Sequence, residues 1–447
     1  MSATEDQHLI IGAGPLGLAV AKALKEQRVP YRHVEATDHV GGNWAHGVYE
    51  TAHIISSRKT TQYPDFPMPE SYPDFPSGAQ MRAYYEDFTD AHALRAAIEF
   101  ERAVTSVRPR SDELWDVDFG DGTSAVHKGV VVCNGHHWAK RFPPWVAQFE
   151  GEVLHSKDYK RPAQLEGKRV LVLGGGNSGC DLASEAARVS SSADWSLRRG
   201  YWFMPKTLFG VPSIELMNPY APMWLQRLVM RLLIRLSIGK YADYGLPHPT
   251  HRMFDAHPTI NSEVFHYLQH GRLRPRPDVV SIDGSTIAFT DGASAEYDAV
   301  VCATGYDLAF PFLPEGLVPV DDKVAQLYGG MLRPDYRHLY IFGAYQVRYG
   351  IGPVIRPGAL AIAHLAKLQD ELPMPLGWLL KEMGSKPPTS HLIGPFETIR
   401  ALERVVKWVP ALRRMGKRYS SRWTAQEREV AARRLQPLTN ADEVTTV

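Results

Sequence analysis

The chain has 447 residues, 44% of them hydrophobic and 22% charged, a globular composition with length for roughly two or three domains, which excludes disordered and fibrous classes. Fifty Lys and Arg against forty-nine Asp and Glu leave a net charge of +1, so no overall field recruits nucleic acid, and any basic patch is local. Cys133, Cys180 and Cys302 lie far apart with no C-x-x-C pair, which argues against a disulfide framework, a zinc site or a dithiol centre, and no metal is expected. The start carries no signal-peptide pattern, and no uninterrupted apolar run of about 18 residues occurs. A cytoplasmic protein without a membrane span is the expectation.

In chain order, His8 to Ile11 reads as a strand running into Gly12-Ala13-Gly14-Pro15-Leu16-Gly17, and Leu18 to Leu24 reads as a helix. A second strand, Tyr31 to Val34, ends in Glu35, about 20 residues on, where a dinucleotide-binding βαβ unit places the acid for ribose hydroxyls. Asp121-Gly122 marks a hairpin, and Val130 to Cys133 is a strand closing on Asn134-Gly135. The βαβ pattern then recurs as Arg169 to Leu173, Gly174-Gly175-Gly176-Asn177-Ser178-Gly179, a helix over Cys180 to Val189 and a strand over Asp194 to Leu197. This second unit ends in Arg198-Arg199; a guanidinium suits a ribose 2′-phosphate that a carboxylate would repel, so NADPH is favoured over NADH. In both loops the glycines let backbone N–H groups reach a pyrophosphate at a helix N-terminus.

Residues 201–265 lack βαβ rhythm and are read as a mainly helical insertion. Val300 to Gly305 and Leu339 to Gly343 repeat the strand-to-glycine ending, and Pro357 to Leu368 should return as a helix to the first domain. The expected fold is α/β with two Rossmann-like dinucleotide-binding domains. Residues 1–160 form the first part of one, 161–297 the other with its insertion at about 205–265, and 298–447 the return plus a C-terminal helical segment.

Phe149-x-Gly151-x-x-x-His155-x-x-x-Tyr159 precedes the second glycine loop. With Gly41-Gly42-Asn43-Trp44, Asp65-Phe66-Pro67-Met68-Pro69 and Ala303-Thr304-Gly305-Tyr306, it makes residues 8–370 resemble the flavin-containing monooxygenases, the class B single-component flavoprotein monooxygenases. The resemblance implies FAD on Gly12, Gly14, Pro15, Leu16, Gly17, Glu35, Asn43 and Trp44. It implies NADP on Gly174, Gly176, Asn177, Ser178, Gly179, Arg198 and Arg199, with Thr304 and Gln346 lining the site. The implied reaction reduces the flavin with NADPH, forms a C4a-hydroperoxide with molecular oxygen and oxygenates the nitrogen or sulfur of a small lipophilic amine or sulfide. Tyr159-Lys160, in place of the Trp-Pro or Trp-Asp of Baeyer–Villiger enzymes, disfavours ketone oxidation.

One departure stands out: counting back from Asp65, the family's asparagine position holds Ile55, followed by Ser56 and Ser57. Isoleucine cannot donate a hydrogen bond. Either Ser56 or Ser57 takes over through a shifted loop, or more hydrogen peroxide escapes as in an NADPH oxidase, or the substrate differs. A nucleotide-sensing binding protein is the non-enzymatic rival.

Trp224, Leu225, Leu228, Val229, Leu232, Leu233 and Leu236 form a helical stripe beside Arg227, Arg231 and Arg235, read as a core helix with a solvated face or as a membrane or homodimer surface. Leu402 to Arg422 presents the same choice. His155 is read as a structural link rather than a proton carrier, and His136, His137, His248, His251 and His257 as solvated loop residues.

Overall fold

A computed structural model describes residues 4–218 and 220–423; the end of the expected C-terminal segment, 424–447, lies outside them. The first half lays down β1 (His8–Ile11), α1 (Pro15–Glu26), β2 (Tyr31–Val34), β3 (Ile98–Glu99), β4 (Val104–Pro109), β5 (Trp115–Phe119), β6 (Ser124–His127) and β7 (Gly129–Val132). Then follow β8 (Glu152–His155), β9 (Arg169–Leu173), α2 (Asn177–Val189), β10 (Ser192–Ser196), α3 (Met223–Ser237) and β11 (Leu273–Arg276). The described residues close with β12 (Val279–Asp283), β13 (Thr286–Phe289), β14 (Ser294–Glu296), β15 (Ala299–Cys302), β16 (Leu339–Ile341), α4 (Gly352–Asp370) and α5 (Pro395–Tyr419).

Two five-stranded parallel sheets organise these elements, in the orders β16-β7-β1-β2-β3 and β11-β10-β9-β15-β8. The second repeats the first: strand, glycine loop, helix, strand, a third strand, an antiparallel three-stranded meander (β4–β6 or β12–β14) and a fourth strand beside the first. The fifth strands break the repeat, since β16 arrives from late in the chain while β8 precedes β9. The second sheet therefore takes its edge strand from Glu152–His155, ahead of the expected boundary at 160.

Strands β1, β7 and β15 are buried along their whole length, as parallel strands covered on both faces must be. That is why, His8 apart, they read as unbroken apolar runs. The pairing runs without slip, Ile11 opposite Val34 and Val132, and Leu173 opposite Ser196 and Cys302, so the carboxyl ends where ligands bind in open α/β sheets are aligned. Helix α4 carries Pro357 within it and packs on α1 and α5, closing the first lobe.

The insertion differs from the expectation of a mainly helical segment. Helix α3 is its one long helix, and the rest is loop with the 3-10 turn Tyr241–Tyr244 and the short ladders Thr207–Leu208/Val211–Pro212 and Phe203–Met204/Thr259–Ile260. Pro205, Gly210, Pro212, Gly239, Gly245, Pro247 and Pro249 interrupt it, and each either lacks the donor a helix needs or favours a turn.

Candidate active site

The two glycine loops are built alike. Gly12 and Gly174 adopt φ +102° and +106°, and a Cβ there would stand 2.7 Å from Cys133 O and 2.5 Å from Ala303 O. A Cβ on Gly17 would reach 1.8 Å from Gly12 O, and one on Gly179 2.1 Å from Gly174 O. These positions exist so that helix and strand can touch. Gly14 and Gly176 serve differently: each is the N-cap of its helix with no side-chain cap. The first intrahelical bonds run from Leu18 N to Gly14 O and from Cys180 N to Gly176 O, both 3.0 Å. The N–H groups of Leu16 and Gly17, and of Ser178 and Gly179, therefore precede the helical ladder at the positive end of the macrodipole.

Both cradles fit a dinucleotide. A Cβ on Gly42 (φ +56°) would lie 3.1 Å from the Gly14 Cα, so only a glycine pair leaves this wall bare, and nothing lies within 4 Å of the Cβ position on Gly176. Glu35 is buried at the end of β2; its Oε2 accepts from Ala13 N (2.6 Å) and its Oε1 from Thr37 N (3.0 Å). A carboxylate has lone pairs to spare for ribose hydroxyls. At the equivalent place after β10, Arg198 and Arg199 are exposed, with the Arg199 guanidinium 5.4 Å from the Tyr201 ring centroid. Two further residues steady the glycine carbonyls, neither read from sequence. His33 Nε2 donates to Gly12 O (3.0 Å), and Trp195 Nε1 to Gly174 O (2.9 Å).

The short helix Asn43–His46 and the loop that follows it link the lobes. Asn43 Oδ1 accepts from Lys157 Nζ (3.3 Å), Tyr49 OH donates to Asp181 Oδ2 (2.8 Å) on α2, and Thr51 Oγ1 donates to Glu185 Oε1. Tyr159 OH donates to the other Glu185 oxygen. Asp181 also accepts from Asn261 Nδ2 (2.8 Å), and burial raises its pKa against the pull of His53 and Lys206. Asn177 Oδ1 accepts from Ile260 N (2.7 Å), fastening the first residue of α2 to the insertion. A sequence scan could not pair these groups, which lie up to 134 residues apart.

His155 is buried; Nε2 donates to Gly305 O (3.1 Å) and Nδ1 accepts from Lys157 N (3.1 Å). Both ring nitrogens are committed to backbone, and burial lowers the pKa. Thr304 Oγ1 donates to Arg141 O, and Gln346 Nε2 lies 3.2 Å from His137 Nε2. The histidines read as solvated loop residues are in part gathered instead: His136 and His137 rings lie 4.1 Å apart, His136 and His391 5.4 Å, and His137 and Tyr306 5.5 Å. Burial lowers His136 to about 4 and pushes His257 and His391 down as well. The correction has a topological reason: β7 delivers His136 at its carboxyl end, facing segments from far along the chain.

Ser57 is buried as the N-cap of the short helix Arg58–Thr61, in a capping box with Thr60, and Ser56 Oγ lies 2.6 Å from Thr61 Oγ1. Ile55 is half-buried between them and Ile54. Both hydroxyls thus have partners within their own turn.

Residues 6–362 match the family model described as flavin-binding monooxygenase-like. Flavin-containing monooxygenase 5 of Oryctolagus cuniculus is 32% identical over 376 residues, 77% of this chain and 70% of that protein. Dimethylaniline monooxygenase (N-oxide-forming) 2 of the same organism is 30% identical over 354 residues, 73% of this chain and 66% of that protein. Among solved structures, cyclohexanone monooxygenase from Rhodococcus sp. Phi1 bound to NADP+ shares the fold with TM-score 0.72 at 16% identity, over 92% of this chain and 99% of that one. S-allyl-L-cysteine S-oxygenase from Allium sativum does so with TM-score 0.64 at 19% identity, over 97% and 99%. With its two glycine cradles joined through one loop, the chain belongs to the flavin-binding monooxygenase-like family and is a flavin monooxygenase.

Proposed function

We propose that this chain uses FAD, NADPH and molecular oxygen to oxygenate nitrogen or sulfur in a small lipophilic amine or sulfide. The observation that carries this reading is the shared wall between the cradles: the loop of Asn43 and Trp44 continues to Tyr49 and Thr51, which bond Asp181 and Glu185 on the helix of the second cradle. A redox cofactor in the first cradle and its reductant in the second are thereby held in one register. FAD would supply two-electron reduction and oxygen activation. Gly14, Leu16, Gly17 and Glu35 would hold its pyrophosphate and ribose; Ser178, Gly179, Arg198 and Arg199 would hold NADPH. His155, bonded on both nitrogens, fixes the Gly305 turn and moves no proton. Lys157, whose pKa burial lowers, ties Asn43 to the second lobe.

A second reading, an NADPH oxidase releasing hydrogen peroxide, is favoured by Ile55 and by the engagement of Ser56 and Ser57 within their own turn. One assay separates the two. Peroxide formed per NADPH consumed should fall well below one when a tertiary amine or a sulfide is added, with a product one oxygen heavier by mass spectrometry. Stoichiometric peroxide whatever is added moves the assignment to the oxidase. Arg198→Ala/Arg199→Ala should raise the KM for NADPH roughly tenfold, the worth of one charge-assisted phosphate contact, and leave that for NADH in place; equal effects on both would remove the 2′-phosphate role.

A further inference from the structure

Among the described residues, ten of the fourteen exposed large hydrophobic side chains fall between Phe209 and Leu236. Helix α3 carries six of them: Trp224 (66% exposed), Leu225, Leu228 (59%), Val229, Leu232 (58%) and Leu236 (74%). Their spacing of one, four, five, eight and twelve residues from Trp224 places them along one face. The opposite face is buried through Gln226, Met230 and Ile234, and Tyr349 OH donates to Gln226 Oε1. The helix is thus anchored to the body by one side and apolar on the other. Before it, Phe209 is 87% exposed at a hairpin tip with φ +53°.

Along α3 and the segment before it the unanswered charges are basic. From Phe209 to Leu236 the one acid is Glu215, held by Lys59 at 3.1 Å, while Arg227, Arg231 and Arg235 follow in the helix. Arg227 is answered by Asp255 at 2.6 Å. Arg231 and Arg235 are exposed and, among the described residues, have no acidic partner. The surface continues where Tyr220 meets Phe396 of α5 at 4.4 Å between centroids, with the Arg400 guanidinium 4.0 Å from the Phe396 centroid. Farther along α5 come exposed Arg404, Lys407 and Trp408, with exposed Glu397 and Glu403 between them and Phe396.

We infer that this face docks on an anionic lipid bilayer, with α3 lying in the plane of the headgroups. A helix with an apolar face, bordering arginines and no acid is suited to that boundary, its leucines in the acyl region and its guanidiniums on lipid phosphates. No described helix is long and apolar enough to cross a membrane, so the contact is a surface one. A second copy of the chain fits less well. Two-fold pairing of α3 on α3 sets identical faces together, arginines near arginines, with no acid in that helix to answer them.

The test is flotation of the flavin-loaded protein with vesicles of phosphatidylcholine alone and of phosphatidylcholine with an equal amount of phosphatidylglycerol. Wild type should float with the mixed vesicles, about tenfold more weakly with the neutral ones, and less as salt is added. Leu228→Glu/Leu232→Glu, two exposed positions, should lose binding to both by at least about tenfold, while the flavin spectrum and unfolding midpoint are kept. Arg231→Gln/Arg235→Gln should lose the preference for the mixed vesicles. Absence of flotation at low salt, or flotation unchanged by the glutamate pair, overturns the assignment. So does a dimer in analytical ultracentrifugation that the glutamate pair dissolves without any vesicle binding.

Discussion

A methyl group on Gly17 would stand 1.8 Å from a backbone oxygen, whereas one on Gly176 would have nothing within 4 Å. The same residue type in the same motif therefore does two jobs. Gly17→Ala forces α1 away from β1 and should yield a colourless protein with a lower unfolding midpoint. Gly176→Ala should fold normally and keep its flavin, because its Cβ projects into open space at an extended backbone position; the effect should appear as a raised KM for NADPH. Flavin absorbance per protein and a nucleotide titration measure both, and a yellow, stable Gly17→Ala would show that the helix–strand contact tolerates more than its geometry allows. Which glycine does which job was not legible in G-x-G-x-x-G, because it depends on how the loop folds the carbonyl of its own first glycine back onto the helix and leaves space elsewhere. The acid at Glu35 and the arginines at 198 and 199 were legible, since strand ends are local. Ser57 was not: its capping role depends on Thr60 closing a turn that a single hydroxyl in a string of polar residues does not announce.

Helix α2 is the element on which the two lobes meet. Its outer turns carry Asp181 and Glu185, nearly buried and satisfied by hydroxyls from the first lobe and from Tyr159. A buried carboxylate that loses a donor retains its desolvation cost. Tyr159→Phe should accordingly lower stability by about 1–3 kcal/mol in denaturant unfolding, with the ring packing against Tyr49 preserved. If the midpoint does not move, Thr51 alone satisfies Glu185 and the signature tyrosine is only a packing residue. The periodicity of α2 was readable because its apolar residues are buried at helical spacing; its polar partners were not, since they approach from elsewhere in the chain. The opposite failure occurred in the insertion, where the absence of βαβ rhythm suggested more helix than its prolines and glycines permit.

At the scale of the molecule, the buried histidines set the response to acid. Burial lowers His33, His127 and His136 from 6.5 to about 4, and His8 to about 3. His8 is also 3.3 Å from His338, so protons on both would repel. The unfolded chain takes up protons as the pH falls through 6.5, while the folded chain stays neutral at these rings until about 4. Protons bound by the unfolded state alone favour unfolding. Stability from these groups is thus complete above 6.5 and declines between there and about 4, each ring contributing a slope of up to about 1.4 kcal/mol per pH unit. Thermal unfolding across that window should show a midpoint constant near neutrality and falling below it. A constant midpoint down to the lower limit would mean the rings are charged in the folded state.

The sequence by itself determined the two strand, glycine-loop and helix units, their order and the charge that follows each second strand, because strand, glycine turn and helix are specified by residues within one short stretch. The tertiary structure decided what joins them: the bonds from Tyr49, Thr51 and Tyr159 to α2, the gathering of His136, His137 and His391, and which face of α3 is left without a partner. Those depend on where parallel strands set their carboxyl ends and on which helix face finds a surface to bury, and neither is written in local spacing.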